Sequence, residues 1–382
     1  MKHYHYIFTG TGLAAMMTVY EMIRSGKFED KNILLLDENP KQTNDRTWCF
    51  WDENKAFDTI VSKTWDTAYF KNEDFERRLI LKPYQYKMVK GLDFYRLIFD
   101  LIAKQKNIRF IQQKVIDFQE LGDHSVVKTE TESYSCNQIF NSVFNPQKVN
   151  NQSKYPLLQQ HFVGWFIKSK EAVFNSECAT FMDFSVAQKG NTRFMYVLPT
   201  SATEALLEYT LFSKELLPKE EYETEIKNYL QKLGATNYEL LEKEQGSIPM
   251  SCYPFWNKNT KNILNIGSAG GWTKASTGYT FANTVKKSKA LVQFLTTETD
   301  FRKFHKTTKF WFYDLLLLDI LDKKNALGSR IFSAMFQKGN PTVIFKFLDE
   351  ETSFWEDLYV IWKCPKGLFI KAFLQRILRF RF

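Results

Sequence analysis

At 382 residues the chain is long enough for two domains, or for one cofactor domain carrying a large insertion. A hydrophobic share of 44% with 25% charged residues is globular and excludes a disordered chain. The formal charge of +9 asks for an anionic partner, which could be nucleic acid, a membrane surface or a nucleotide cofactor. Aromatic residues make up 16% of the chain, 35 of them Phe, which fits a low-GC genome or a long apolar cavity lined by rings.

The first elements form a nucleotide-binding βαβ unit. Tyr4 to Phe8 is β-prone, Gly10, Gly12 and Ala15 follow as G-x-G-x-x-A, Leu13 to Ile23 has helical apolar spacing, and Ile33 to Leu36 is a buried strand ending in Asp37. Gly10 permits the tight turn, Gly12 removes the Cβ that would block a pyrophosphate, and Ala15 lets helix and sheet approach. The helix start offers free N–H groups to phosphates, and Asp37 stands where a carboxylate accepts from a ribose. Farther on, Asp93 to Gln105 reads as a helix, Ile108 to Glu120 and Val126 to Cys136 as strands, and Gln138 to Phe144 as another buried strand. Residues 151–213 change character, with short alternating runs at 162–167, 181–184, 192–198 and 205–212 that predict an inserted antiparallel sheet. Glu220 to Leu233 reads as a charged helix, and Asn262 to Ile266 resumes a buried strand before GSAGGWTKASTGYTF and a basic helix to about Leu295.

That second glycine-rich loop selects between cofactors. A nicotinamide dehydrogenase needs only the first motif, whereas an extended flavin adenine dinucleotide (FAD) is held at both ends. Gly267, Gly270, Gly271 and Gly278 would permit backbone approach to the isoalloxazine end.

Other chemistries find no support. The cysteines and histidines lack ligand or disulfide spacing, so no metal is expected. Ser268 in I-G-S-A-G lacks the glycine of a nucleophile elbow. Phe310 to Leu321 is broken by Asp314 and Asp319 and is shorter than the roughly 20 residues of a membrane span. With the phosphate loop near the start and no signal-peptide pattern, a cytoplasmic location is expected. After Asp357 there is no acid, while Lys363, Lys366, Lys371, Arg376, Arg379 and Arg381 accompany apolar pairs recurring every four residues. Such a cationic amphipathic helix suits peripheral binding to an anionic bilayer or docking on the protein's own core. No nucleic-acid module is found, so nucleic acid is not an expected partner.

The chain resembles the flavin-dependent lycopene cyclases, specifically the bacterial beta-cyclase type, over almost its full length. The resemblance rests on G-T-G-L-A-A with L-L-L-D (10–15, 34–37), R-T-W-C-F-W (46–51), Q-H-F-V-G-W (160–165), F-M-D-F (181–184), F-M-Y-V-L-P (194–199), A-L-L-E-Y-T (205–210), G-S-I-P-M (246–250), G-S-A-G-G-W with T-G-Y-T-F (267–281) and F-L-D-E-E-T-S-F-W-E-D-L (347–358). Ser268 departs from the aspartate common in flavoproteins, and Tyr209 from the acid that often follows the family's key glutamate. The resemblance implies acid-initiated closure of the ends of lycopene or a related C40 carotenoid into rings. It implies reduced FAD without net redox change, and NAD(P)H as reductant.

Glu208 is the expected acid by resemblance of L-L-E-Y-T to the catalytic motif; on a strand it shares a face with Leu206, Thr210 and Phe212. Asp183 is a second carboxylate in apolar company, open to orienting Glu208, facing the polyene or serving a turn. Trp48, Phe50, Trp51, Trp165, Tyr196 and Trp272 are candidate cavity aromatics, each also readable as core, and Glu350 and Glu351 read as a helix start. The expected architecture is an α/β, Rossmann-like FAD-binding fold (1–72, 92–150 and 244–298), an inserted antiparallel substrate domain (73–91 and 151–243), and a helical C-terminal region (299–382). A flavin-dependent reductase or monooxygenase acting on an isoprenoid or aromatic compound is the alternative enzyme. A flavin-binding protein without catalysis is a third reading.

Overall fold

The structure is a computed structural model. It describes residues 1–380 except 145, 147, 148 and 150, and describes 379 and 380 by backbone only.

Ile33–Asp37, with four successive buried apolar residues, makes the kind of strand that helices cover on both faces. It lies in a seven-stranded sheet, parallel to Lys2–Thr9 on one side and to Ile108–Gln112 on the other. Lys2–Thr9 pairs in parallel with Ser133–Asn141, whose far end pairs with Ile263–Asn265, so the second glycine-rich segment is delivered beside the first. Helix Leu13–Ser25 follows the first strand and stops at Gly26, whose left-handed backbone (φ 64°) lets its N–H close on the Ile23 carbonyl.

Two strand assignments change. The expected strand over 108–120 is two strands, Ile108–Gln112 and Val115–Leu121. The expected pair 126–136 and 138–144 is instead His124–Thr129 and the continuous Ser133–Asn141. The break at Glu130–Glu132 is a turn in which the Thr129 hydroxyl accepts the Glu132 N–H, a local bond that competes with the ladder.

The second sheet also has seven strands, ordered 238–250, 158–169, 204–213, 192–199, 178–183, 67–71 and 76–80. It is antiparallel except where Cys178–Asp183 runs parallel to Thr67–Lys71. Thr67–Lys71 and the whole of Tyr238–Met250 belong to this sheet, so hydrogen-bonded strands extend beyond the expected boundaries at 72/73 and 243/244. Gln85–Lys90 instead joins Thr47–Asp52 and Val61–Trp65 in a three-stranded sheet. One face of the large sheet carries Val163, Trp165, Met195 and Tyr209 onto helix Lys219–Lys232. The other face carries Phe181, Phe194, Leu206 and Phe212 toward the C-terminal helices.

Those helices are Lys309–Lys323, Gly328–Lys338, Pro341–Leu348, Phe354–Lys363 and Lys366–Phe380. Glu350 and Glu351 do not start a helix: Glu350 has φ 63°, and the helix begins after Ser353, which forms a capping box with Glu356. The last helix docks on Lys309–Lys323 through buried Ala372 and Arg376. Arg376 therefore does not face outward; its guanidinium grips both oxygens of buried Asp319 and donates to the Lys154 carbonyl. The Arg379 side chain and Arg381 lie outside the described residues. Among the described residues no helix is long and apolar enough to cross a membrane.

Candidate active site

Strand alternation places the chamber. On Leu158–Ser169, Gln160, Phe162 and Gly164 share one face; on Thr192–Pro199, Phe194, Tyr196 and Leu198; on Glu204–Ser213, Leu206, Glu208 and Thr210. These faces, with the loop at 273–281, border a cavity of about 370 Å³ that reaches Gly12 and Leu13 of the nucleotide turn at one end and Glu208 at the other.

Glu208 stands in a cross-strand row. Tyr196 and Gly164 are its partners on either side, and Gly164 in turn pairs with Glu244 on the next strand. A Cβ on Gly164 would lie 3.0 Å from the Cγ atoms of both Glu208 and Glu244. The missing side chain is therefore what lets two carboxyl groups lean together across a strand. The Thr47 hydroxyl donates to Glu244 Oε2 at 2.7 Å, and Oε1 is buried.

Burial first, and the Glu244 charge and hydrogen bond second, hold the Glu208 carboxyl well above the usual carboxylate range. Burial, with Glu208 and Glu244 close by, also pushes the Cys49 thiol up. Glu208 keeps partial access, and the chamber it lines supplies that access. The raised carboxyl is biased toward its neutral form and lines the chamber together with Phe162, Phe181, Phe194, Tyr196 and Tyr279.

Asp183 is elsewhere. Its carboxylate accepts from the Tyr229 hydroxyl at 2.7 Å and the Ser185 N–H at 2.9 Å, between the sheet and helix Lys219–Lys232. It serves a turn and a buried hydrogen bond, and neither orients Glu208 nor lines the chamber. Among the expected aromatics, Trp48 and Tyr196 line the chamber. Phe50 stacks on Phe281 at 4.3 Å, Trp51 packs on Phe345 and Tyr279, and Trp272 packs near Phe304, so these three are core. Trp165 is one residue out of register with the chamber face and lies against the opposite helix.

At the nucleotide end, Gly12 is the last residue before the helix, with no side-chain cap on the helix N–H groups, and a Cβ built on it meets nothing within 4 Å. Open space thus adjoins the free N–H groups where a phosphate would sit. Gly10 has φ 85° and a Cβ there would meet Ser142 Oγ at 2.5 Å, while Ala15 is fully buried in the core below. Asp37 is occupied locally, accepting from Thr11 N–H at 2.6 Å, the Thr11 hydroxyl at 2.9 Å and Asn39 N–H at 2.8 Å. Gly267 brings the second loop against the first helix, where its Cβ would lie 3.1 Å from that of Ala14. Ser268 and Gly278 line the chamber. Gly270 and Gly271 do not; a Cβ at either would strike the Asn265 carbonyl or the Phe255 ring.

The family described as lycopene cyclase protein matches residues 6–374. The chain belongs to the lycopene cyclase family. No curated protein sequence matches it significantly. Among solved structures, this family member is similar to a geranylgeranyl bacteriochlorophyll reductase-like protein from Thermoplasma acidophilum, with TM-score 0.70 at 10% identity over 98% of this chain and 100% of that one. It is similar to a flavoprotein/dehydrogenase from Cytophaga hutchinsonii (0.62, 12%, 98% and 100%) and to the flavin-dependent brominase Bmp2 (0.62, 12%, 91% and 94%). At these identities the likeness is one of fold alone.

Several residues of this cyclase-family site are silent in the sequence. Glu244 sits in a charged run, E-K-E-Q-G, that reads as solvent-facing. Stepping back by twos from Gly246, whose face meets Phe162, would have placed it on the chamber side. Lys41 and Arg46 line the nucleotide end of the cavity from an irregular loop, where no periodicity announces them.

Proposed function

We propose that the chain is a lycopene beta-cyclase that binds FAD and closes the acyclic ends of lycopene into beta-ionone rings without net redox change. The observation that carries this is Glu208: a carboxyl held protonated by burial and a second carboxylate, in a ring-lined chamber continuous with the nucleotide turn. The residues present fit FAD, since the Gly12 opening, the uncapped helix start, Lys41 and Arg46 would hold an anionic pyrophosphate, and Ser268 and Gly278 border the chamber beyond. Reduced flavin, formed with NAD(P)H as donor, would supply negative charge near a developing cation.

The protein's own groups carry the proton. Glu208 protonates the terminal alkene, the neighbouring alkene closes on the resulting cation, and loss of a proton from the ring carbon restores a neutral product. The Glu208 carboxylate left behind is the nearest base and shares its site with Glu244, so the pair gives up a proton and regains one. Aromatic faces stabilise the cation without trapping it, and the apolar walls exclude water that would. The pigment formed in lycopene-accumulating cells tests this reading: beta-ring carotenoid is expected, and unchanged lycopene would overturn it.

A second reading, a reductase acting on an isoprenoid chain, is favoured by the likeness to the geranylgeranyl bacteriochlorophyll reductase-like protein. It requires nicotinamide consumption in proportion to product, whereas cyclisation requires none per turnover.

Two substitutions probe the site's halves. Gly12→Val extends into open space, so it should fold normally yet weaken FAD at least tenfold by flavin-fluorescence titration; equal affinity would remove the pyrophosphate assignment. Glu244→Gln removes a charge that raises Glu208. The active form is protonated and is lost as pH climbs through the raised value, so the alkaline limb of the rate profile should move to lower pH. An unmoved limb would mean that the two carboxyls act independently.

A further inference from the structure

A second cavity, of about 390 Å³, lies within the C-terminal helices and is walled by Leu316, Phe332 and Met335. Its inner end is Ser276 and Thr277; Thr277 also borders the Glu208 chamber, so one turn of the 273–280 loop separates the two spaces. Its mouth carries Ile370 and Phe373, both exposed.

The surface around that mouth is unlike the rest of the molecule. Among the described residues, more than half of the exposed large hydrophobic side chains fall on the last two helices, including Trp355 at 77% and Trp362 at 70% exposure. Exposed apolar side chains concentrated in this way mark an interaction site. Lys363 and Lys366 lie over the rings of Tyr359 and Trp362, Lys371 is exposed nearby, and no acid follows Asp357. The acids on these two helices, Glu356 and Asp357, are paired with Lys346 and Lys309. Exposed tryptophans among unopposed lysines are complementary to the interface of an anionic bilayer, where rings sit at headgroup depth.

The first chamber is at the lower end of the range for ligand pockets, and a conjugated C40 rod that presents one end to Glu208 has to leave it in a straight line. The nucleotide end is polar. The second cavity is the apolar space on the other side of Thr277.

We propose that this cavity is a port through which an apolar polyene passes from an anionic bilayer surface, past Thr277, to Glu208. The inference rests on the cyclase reading for the identity of the passenger, but its binding arm does not. Buried Lys274, paired with Asp314 at 3.0 Å and Glu350 at 3.1 Å, fastens the separating loop to the port helices.

The test uses the full chain with bound FAD. Leu317→Trp, which places a large ring in the port, should lower the binding of diphenylhexatriene, a rod-like polyene whose fluorescence rises in apolar sites, at least tenfold. It should lower cyclisation of lycopene supplied in phosphatidylglycerol vesicles by a similar factor, with flavin affinity and the unfolding midpoint unchanged. Ile370→Trp, at the exposed mouth, gives the same readout should the inner variant fail to fold. Trp355→Glu with Trp362→Glu should reduce co-sedimentation with phosphatidylglycerol vesicles, and phosphatidylcholine vesicles should bind the parental protein more weakly. Parental probe binding and turnover in a folded port variant would overturn the port. Equal binding to both lipids, or by the double variant, would overturn the bilayer surface. A parental protein that binds the probe through this port yet makes no ring would refute the cyclase reading and leave the port standing.

Discussion

Glu208→Gln is expected to fold, to bind FAD as the parental chain does, and to lose ring formation by about 10²- to 10⁴-fold, the range for removal of a positioned general acid. Glutamine keeps the size of the side chain and fits the same slot between Tyr196 and Gly164, so packing is held constant. What it removes is the ionisable proton. In deuterated water the parental protein should place deuterium in the product ring, because the proposed sequence begins with protonation. Parental turnover by a fully flavin-loaded glutamine variant would reject Glu208 as the acid. Stability follows the same proton: the folded chain holds it more tightly than the unfolded one, so stability falls as pH rises from the ordinary glutamate value of 4.5 toward the raised one.

Arg376→Ala is expected to cost about 3–5 kcal/mol in denaturant unfolding, because it leaves the buried Asp319 carboxylate without its partner. Replacing both, Arg376→Met with Asp319→Leu, should recover most of that loss, since an apolar pair of similar volume avoids burying charge. A single variant as stable as the parent would show that the tail helix is not held by this pair.

How much of this was legible in the sequence depended on how local the signal was. The βαβ unit was legible because strand, glycine turn, helix and terminal acid are contiguous, and the structure reproduces them at 2–9, 13–25 and 33–37. Glu208 was placed on the correct strand face by alternation alone, and its role came from the motif. Asp183 misled because a carboxylate among Phe and Met reads alike on either face; a register irregularity between Thr180 and Asp183 and the Tyr229 hydroxyl decide where it goes. Trp165 failed by a single residue of register, and Trp51 and Trp272 failed because aromatic abundance cannot separate core from cavity. Arg376 read as one cation in a basic stripe, and only the tertiary fold supplies the Asp319 it grips. Glu244 is the clearest loss, since its neighbour in space is set by two strand pairings that no linear pattern encodes.

The strand that carries Glu208 is hydrogen-bonded on both sides, to 158–169 and to 192–199, near the middle of a seven-stranded sheet. The amides of Leu207, Glu208 and Tyr209 should therefore be among the last in the molecule to exchange with deuterium, opening only with global unfolding. An acid seated there has no hinge of its own. On the proposed cyclase reading it is a fixed anvil, so motion that gates turnover would come from the substrate and the loops around it, and changes in loop mobility should alter the rate of loading while leaving the protonation step itself untouched.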